Sequence, residues 1–485
     1  YFFIKNSPTI NKKTKHHNLF SLSSTNKINT NNIDKISRIL DAKYTRNLFS
    51  ANYKYSAIAS RSGTNSPWSS KTKDILDSCL GFSDYEIEKL DLYIRSKDSL
   101  PYSPLYDQMT EIYLSSSNLI RKYLNNTFLP KKNYFKKIST KNIEIANNKM
   151  GLAMNSSEIK YLENVYLKLK RDPTDVELMM FSQINSEHCR HKIFNGTFII
   201  DKEVKKESLF SLIKKTSKLN SKNLVSAYKD SVAFIAGPEI TQFAPKNSSF
   251  SDFYESKKID SVISLKAETH NFPTTVEPFN GAATGSGGEI RDRLAGGKGS
   301  LPIAGTAVYM TPYSRVSDYP WEKSIDERNW LYQNPSDILI KASNGASDFG
   351  NKFGQPLICG SVLTVENKFE NNIQSFDKVI MLAGGIGYAN KNHATKEKPK
   401  KGDIIVILGG DNYKIGMGGA AVSSADTGNF STGIELNAVQ RSNPEMQKRV
   451  ANAIRGTIED SKNCIISIHD HGAGGHLNCL TELVE

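Results

Sequence analysis

The sequence predicts a multidomain protein of mixed α+β and α/β class. Short apolar runs that end in glycines read as strands, and helical stretches with paired capping signals intervene between them. The 485 residues leave room for roughly three domains of ordinary size, with ample length for buried cores.

Residues 5–33 are polar with little apolar periodicity, so the first 33 residues are expected to be loosely ordered. From Ile33 to about Phe135, apolar clusters alternate with turns, as in a small α+β domain. A second unit starts near Met150. Asn155 and Glu158 have capping-box spacing, and Ile159, Leu162, Val165, Tyr166 and Leu169 follow on one helical face. Asp172-Pro173 breaks that helix. Thr174 and Glu177 repeat the signal, and the next helix leads through Gln183 and Ile184 to the polar tip Asn185–His191, as a connector that delivers side chains to a neighbouring site. Beyond Phe198 the strand-like runs are Val232–Ala236, Val262–Ala267, Val379–Ala383, Ile404–Leu408 and Cys464–Ile468, and Glu445–Ile454 reads as a helix. The charged, Pro-containing stretch Asn390–Lys401 is the best boundary in this half.

Composition excludes several classes. No run approaches the roughly 20 apolar residues of a membrane span, and Tyr-Phe-Phe-Ile is too short for a signal-peptide core. Five dispersed cysteines without CxxC pairs argue for reduced thiols and a cytoplasmic setting. The net charge of +13 invites a nucleic-acid reading, but the lysines are spread along the chain and often stand beside Asn. No arginine-rich recognition segment accompanies them, so a phosphate-bearing small substrate suits the charge equally well. Tyr1 in place of Met, and the structured-looking run to Glu485, read as cut ends of a fragment.

Five segments have chemical potential. Gly281-Ala282-Ala283-Thr284-Gly285-Ser286-Gly287-Gly288-Glu289-Ile290-Arg291-Asp292 reads as a loop whose missing Cβ atoms let backbone N–H groups converge on an anion. Arg291 and Lys298 would neutralise phosphate oxygens, and Asp292 or Glu289 would hold Mg²⁺. A tight structural turn is the competing reading. Lys266–Pro273 places Glu268, His270 and Asn271 at the end of an apolar strand, as ligand contacts or as a buried, hydrogen-bonded His. In Asn185–His191, His188 is a general acid, an oxyanion stabiliser or a satisfied helix-terminal residue; a structural zinc needs four ligands that this pattern lacks. His469-Asp470 with Gly472–Gly475 reads as a phosphate or cation loop. Gly409-Gly410 with Gly416–Ala421 reads as a structural turn.

These segments in this order resemble one family, the large single-chain phosphoribosylformylglycinamidine synthases, or formylglycinamidine ribonucleotide amidotransferases. The motifs are Pro173–Leu178, Asn185–Phe194, Glu268-Thr269-His270-Asn271, Gly281–Asp292, Met381-Leu382-Ala383-Gly384-Gly385 and the terminal His469-Asp470 glycine run. Gly63–Lys71 and Asp107–Glu111 are similar to the N-terminal domain of the large form. The resemblance spans residues 45–485 and implies four pieces: an N-terminal α+β domain over 1–145, a helical linker over 146–197, and an aminoimidazole ribonucleotide synthetase-like N-terminal, ATP-binding domain over 198–395. The fourth is the synthetase-like C-terminal domain over 396–485, expected to be truncated.

The resemblance also implies a reaction and its residues. ATP, with Mg²⁺, activates the amide of formylglycinamide ribonucleotide, and ammonia from glutamine completes an amidation of purine biosynthesis. Gly281 to Asp292 would bind ATP together with Cys359, Gly360 and Ser361. His188 would be catalytic, Glu268, His270 and Arg291 would bind substrate, and Asp292 would bind metal. Three positions depart from the pattern: Phe272 where a second His is frequent, His471 in a usually apolar place, and Ser442 for a frequent Gly. The second synthetase half and the glutaminase are expected to lie outside this chain, which alone is expected to be inactive and unable to hydrolyse glutamine. A truncated, nonenzymatic nucleotide-binding product is the competing reading. Relatives on the same synthetase fold, such as thiamine-monophosphate kinase, lack the N-terminal and linker motifs.

Overall fold

The computed structural model describes all residues of the chain except 8–9, 11–12, 25, 62–65, 82–84, 100–101, 107–110, 128–134, 248–249, 318, 411–415, 441, 461 and 485. Two motifs named above, Gly63–Asn65 and Asp107–Thr110, therefore lie outside the described residues, as does Arg441. The described residues form two compact units, one between Tyr1 and Tyr134 and one from Phe135 onward.

The first unit is built on the strands β1 (Phe2–Asn6), β2 (Thr14–Ser24), β3 (Lys43–Thr45), β4 (Tyr53–Ser60), β5 (Tyr85–Ser96) and β6 (Glu111–Leu114). They form an antiparallel sheet in the order β3-β1-β2-β5-β4-β6. Both faces are covered. Helix α3 (Ser117–Thr127) packs Ile120, Tyr123 and Leu124 against Leu19, Ala57, Leu90 and Leu92. Helices α1 (Thr30–Leu40) and α2 (Pro67–Leu80) pack Ile36, Leu40 and Leu76 against Phe3, Phe20 and Leu22 on the other face. This corrects the expectation of a loosely ordered start. Leu19 and Phe20 point to opposite, equally buried faces, so the alternation that marks a half-buried strand is absent.

The second unit begins with helices α4 (Ile143–Met150), α5 (Ser156–Leu169) and α6 (Asp175–Ile184), followed by the single turns α7 (Glu187–Arg190) and α8 (Lys192–Asn195). Both capping boxes form: Asn155 with Glu158, and Thr174 with Glu177. Leu162, Tyr166 and Leu178 close a small core with Ile143 and Leu152. A short ribbon of β7 (Ile199–Ile200) and β8 (Glu203–Val204) and helix α9 (Leu209–Leu219) lead into the main sheet.

That sheet contains β9 (Leu224–Ser226), β10 (Ala233–Pro245), β11 (Tyr254–Thr269), β12 (Leu301–Thr311), β13 (Leu357–Thr364) and, after the hairpin β14 (Glu366–Phe369) and β15 (Asn372–Ser375), β16 (Ile380–Asn390). The order is β13-β12-β16-β11-β10-β9, with β12 and β13 parallel and the other pairs antiparallel. Between β11 and β12 come α10 (Asn271–Val276) and α11 (Pro278–Leu294); α12 (Pro335–Phe353) precedes β13. Later helices are α13 (Gly419–Ser423), α14 (Thr432–Ala438), α15 (Pro444–Ile458) and α16 (Gly475–Val484). α11 is the centre of this unit. Ala283, Ile290 and Leu294 pack on Phe349 and Phe353 of α12 and on Ile454 and Ile458 of α15, while Ala282 faces Ala307 and Met381 of the sheet.

Two expected strands are corrected. Ile404–Leu408 and Cys464–Ile468 have no ladder partner among the described residues, and Ile404 is 87% exposed. Apolar β-branched residues favour a strand only where a neighbouring strand accepts their backbone hydrogen bonds.

A Cβ at position 281 would lie 2.3 Å from the backbone carbon of Pro273, whereas one at Gly456, on the exposed face of α15, meets nothing within 4 Å. Gly281→Ala is therefore expected to destabilise the chain by about 2–3 kcal/mol, and Gly456→Ala to stabilise it by about 0.5–1 kcal/mol. Denaturant unfolding of the two variants checks this pair.

Candidate active site

The site forms where β11 ends. Lys266, Glu268 and His270 recur every second residue, so the pleat sets them on one face of the strand. The strand end is tied to β16: the His270 amide donates to the Met381 carbonyl at 2.8 Å, the Met381 amide donates to Asn271 Oδ1 at 3.2 Å, and the Val379 amide donates to Thr275 Oγ1 at 3.0 Å. Phe272 is 2% exposed and belongs to the core.

Gly281–Asp292 is not the anion-cradling loop expected from its glycines. It is the interior of α11, buried almost throughout, and its amides are engaged in the helix. The small residues serve close approach: at Gly285 a Cβ would stand 2.8 Å from Met381 Sδ and 3.2 Å from His270 Cβ. Packing against the sheet, α10 and α12 overrides the low helix propensity of glycine. Glu289 is 1% exposed and hydrogen-bonds Arg293 and Gln355, so it holds the core together, and burial pushes its carboxyl up to about 7. Of the twelve residues, Arg291 and Asp292 meet the strand-end groups, with Gly288 beside them.

Three carboxylates and two cations converge there. Lys266 Nζ lies 2.5 Å from Asp292 Oδ2 and 3.7 Å from Glu268 Oε2, and Arg291 Nε is 3.9 Å from Asp470 Oδ2. Asp470 shares a hydrogen bond with Asp292, and Asp292 with Glu268. Burial, and then the neighbouring carboxylate, raise Asp470 to about 7 and Asp292 to about 6. Burial opposes the Lys266 ammonium, but Asp292 and Glu268 outweigh it and hold its pKa above the usual value. Arg291 is steered from α15 and the segment before it. Gln447 Oε1 accepts from Arg291 at 3.2 Å while Gln447 Nε2 donates to the Gly287 carbonyl at 2.9 Å, and Gln440 Oε1 stands 3.5 Å from the guanidinium.

His270 faces this cluster with its Nε2 4.0 Å from Glu268 Oε1. Burial, together with the charges of Arg291 and His188, lowers its pKa to about 3, so the ring is neutral, and its buried Nδ1 has no partner. His188 arrives from the linker. Its ring is open to solvent on one side yet crowded by protein on the other, and this desolvation, with His191 and Lys266, lowers its pKa. Thus Glu268, His270, Arg291, Asp292 and His188 come together, and Lys266, Asp470, Gln440 and Gln447 join them. Lys266 alternates with Glu268 and His270, a signal that could have found it; Asp470 was signalled by the His469-Asp470 glycine run. Nothing local marked the two glutamines.

Cys359, Gly360 and Ser361 lie on the edge strand β13, exposed and outside the cluster. They share its row across the sheet, since Thr269 pairs with Leu382, Leu382 with Val308 and Val308 with Ser361. Three strand spacings put them about 14 Å away. Among the described residues, no three His, Cys, Asp or Glu side chains are spaced to hold a metal ion. The donor chemistry of Asp292 and Asp470 nevertheless suits Mg²⁺, which binds through one or two carboxylates plus substrate phosphates. The excess of acid over base in the cluster points the same way. No helix among the described residues is long and apolar enough to cross a membrane.

Residues 17–123 match the formylglycinamide ribonucleotide amidotransferase N-terminal family, residues 143–192 its linker domain, and residues 400–485 the C-terminal domain of AIR synthase related proteins. The chain is 41% identical over 458 residues to the phosphoribosylformylglycinamidine synthase of Schizosaccharomyces pombe, covering 87% of this chain and 34% of that protein. It is 39% identical over 457 residues to the Saccharomyces cerevisiae protein of that name, covering 88% of this chain and 33% of the relative. It thus spans about a third of the length of these curated relatives. Among solved structures, T. maritima PurL complexed with FGAR overlaps 67% of this chain and 41% of its own at 25% identity, with a TM-score of 0.41.

The raised carboxyls give a pH signature. A carboxyl with an elevated folded-state pKa favours the fold at low pH, and that contribution is lost as the pH rises through about 6–7. Asp470→Asn cannot ionise, so it is expected to flatten the pH dependence of thermal unfolding between pH 5 and 8 and to stabilise the metal-free chain at pH 8 by about 1–3 kcal/mol. An unchanged slope would count against the shared burial of these carboxyls.

Proposed function

Because this chain belongs to the formylglycinamide ribonucleotide amidotransferase family, we propose that it forms the amide-activating part of an ATP-dependent ligase of purine biosynthesis. In this reading ATP transfers its γ-phosphoryl group to the formamide oxygen of formylglycinamide ribonucleotide. The resulting iminophosphate is attacked by ammonia, and phosphate leaves, with ADP and formylglycinamidine ribonucleotide as products. The observation that carries the reading is the buried cluster at the end of β11: an acid-rich pocket with two cations beside a neutral imidazole whose Nδ1 has no partner.

Each residue has a task that its geometry allows. Arg291, held by Gln447, is placed to bind anionic oxygens of the ribonucleotide, and Lys266 to bind phosphate oxygens of ATP. Asp292 and Asp470 would hold Mg²⁺, which neutralises charge on the transferring phosphoryl group. His270, through the Nε2 that faces the cluster, and Glu268 would orient the formamide. His188, neutral at physiological pH, would take the proton released as ammonia adds. The adenosine end of ATP would extend along the sheet row toward Cys359–Ser361, and from Gly281–Asp292 the nucleotide would meet only Gly288, Arg291 and Asp292. The ammonia would come from a glutaminase, and the free cysteines fit a cytoplasmic setting.

The test is steady-state turnover of the full-length protein with formylglycinamide ribonucleotide, ATP and ammonium chloride. His188→Ala and His270→Ala are each expected to lower kcat by about 10²–10⁴-fold. Wild-type kcat in either variant would remove that residue from the proposed chemistry.

A further inference from the structure

We infer that Gln183 is a positioning residue for His188, acting through a hydrogen-bonded latch between the linker and α13; this rests on the catalytic reading of His188 above. The need for a latch is geometric. α7, which bears His188, is a single turn of four residues that ends at His191 with φ +50°. So short a helix has no stability of its own and must be held by tertiary contacts.

Two hydrogen bonds join this part of the linker to α13. Gln183, in the last turn of α6 and 5% exposed, accepts the Ala421 amide on Oε1 at 3.2 Å. Its Nε2 donates to Ser182 Oγ at 2.9 Å, and because a backbone amide can only donate, the amide orientation of Gln183 is settled. The second bond comes from His188 itself, whose backbone amide donates to Ser424 Oγ at 3.2 Å. The Ser424 hydroxyl donates in turn to the Ala420 carbonyl at 2.8 Å.

The platform on the other side is also held from outside the linker. Ala420, Ala421 and Val422 are buried, and Lys378 Nζ donates to the carbonyls of Ser423 at 3.2 Å and Ala425 at 3.4 Å. Side-chain packing leaves one part of the seam between linker and platform unfilled. A cavity of about 330 Å³ runs along it, lined by Ser182, Ser186, Ala421 and Ser424 among others. Gly151 packs on Val422 and Ile434, and Glu158 holds Asn185 and Lys192 on either side of α7; beside the cavity, the Gln183 and Ser424 bonds add direct ties between the linker and α13. Displacing a catalytic group by about 1 Å can lower turnover by about 100-fold, so the latch bears directly on rate.

The experiment measures kcat and KM of the full-length protein with formylglycinamide ribonucleotide, ATP and ammonium chloride, alongside thermal unfolding. Gln183→Met keeps the shape and loses the acceptor; it is expected to lower kcat by about tenfold or more while both KM values stay within about twofold. Gln183→Glu keeps an acceptor for the Ala421 amide and is expected to recover most of that loss. A kcat for Gln183→Met within about twofold of wild type, or an equal loss in Gln183→Glu, overturns the inference. Should Gln183→Met fail to fold, exposed Ser424 decides in its place: Ser424→Ala is expected to lower kcat and Ser424→Thr to restore it, and an unchanged Ser424→Ala overturns the latch. His188→Ala run in parallel separates the two ideas. If it retains wild-type turnover, the catalytic reading falls and the latch with it; if it is inactive while the latch variants are not, only the latch falls.

Discussion

An excess of buried acid at one end of β11 is the constraint on which the second unit depends. Glu268, Asp292 and Asp470 face Lys266 and Arg291, three acids against two bases in a largely buried place, and burial answers the excess by raising the pKa of Asp292 and Asp470. Burying unpaired charge costs several kcal/mol, so a fold that retains such a cluster does so against its own stability. Functional sites commonly carry this kind of stress, because groups arranged to receive a charged ligand cannot also satisfy one another.

The rest of the unit serves to hold that cluster open. α11 presses against α10 at Gly281 and against Met381 and His270 at Gly285 closely enough that neither admits a side chain, which fixes Arg291 and Asp292 relative to the β11 strand end. The buried Glu289–Arg293–Gln355 network, one turn away on another face of α11, locks the helix to β16 through the Ile386 carbonyl. From the opposite direction the linker brings His188 up on a single helical turn. The rigid wall thus carries the charged groups, and the more lightly held wall carries the His188 imidazole.

Local signals were the legible ones. Both capping boxes and the helices they start stand where the sequence places them, because Asn155–Glu158 and Thr174–Glu177 satisfy backbone donors within one turn. The strand-end polar residues Glu268, His270 and Asn271 were visible at the end of an apolar run. Whatever depended on distant partners was hidden. Glycines that read as a loop sit inside a helix because Phe349, Pro273 and Met381 demand space, and apolar Ile404–Leu408 is no strand because nothing among the described residues pairs with it. Gln440 and Gln447 reach Arg291 only in three dimensions. Leu19 and Phe20 concealed β2 by being buried on both faces.

The central claim is that the acid cluster is built for a divalent cation escorting ATP. Isothermal titration of ATP into the full-length protein, in Mg²⁺ and in EDTA, tests it most directly. The account expects binding only with Mg²⁺, weakened by about tenfold or more in Asp470→Asn, the cost of one lost metal-phosphate anchor of about 1.4 kcal/mol. Equal affinity in EDTA, or an Asp470→Asn variant that binds as the wild type does, would contradict it.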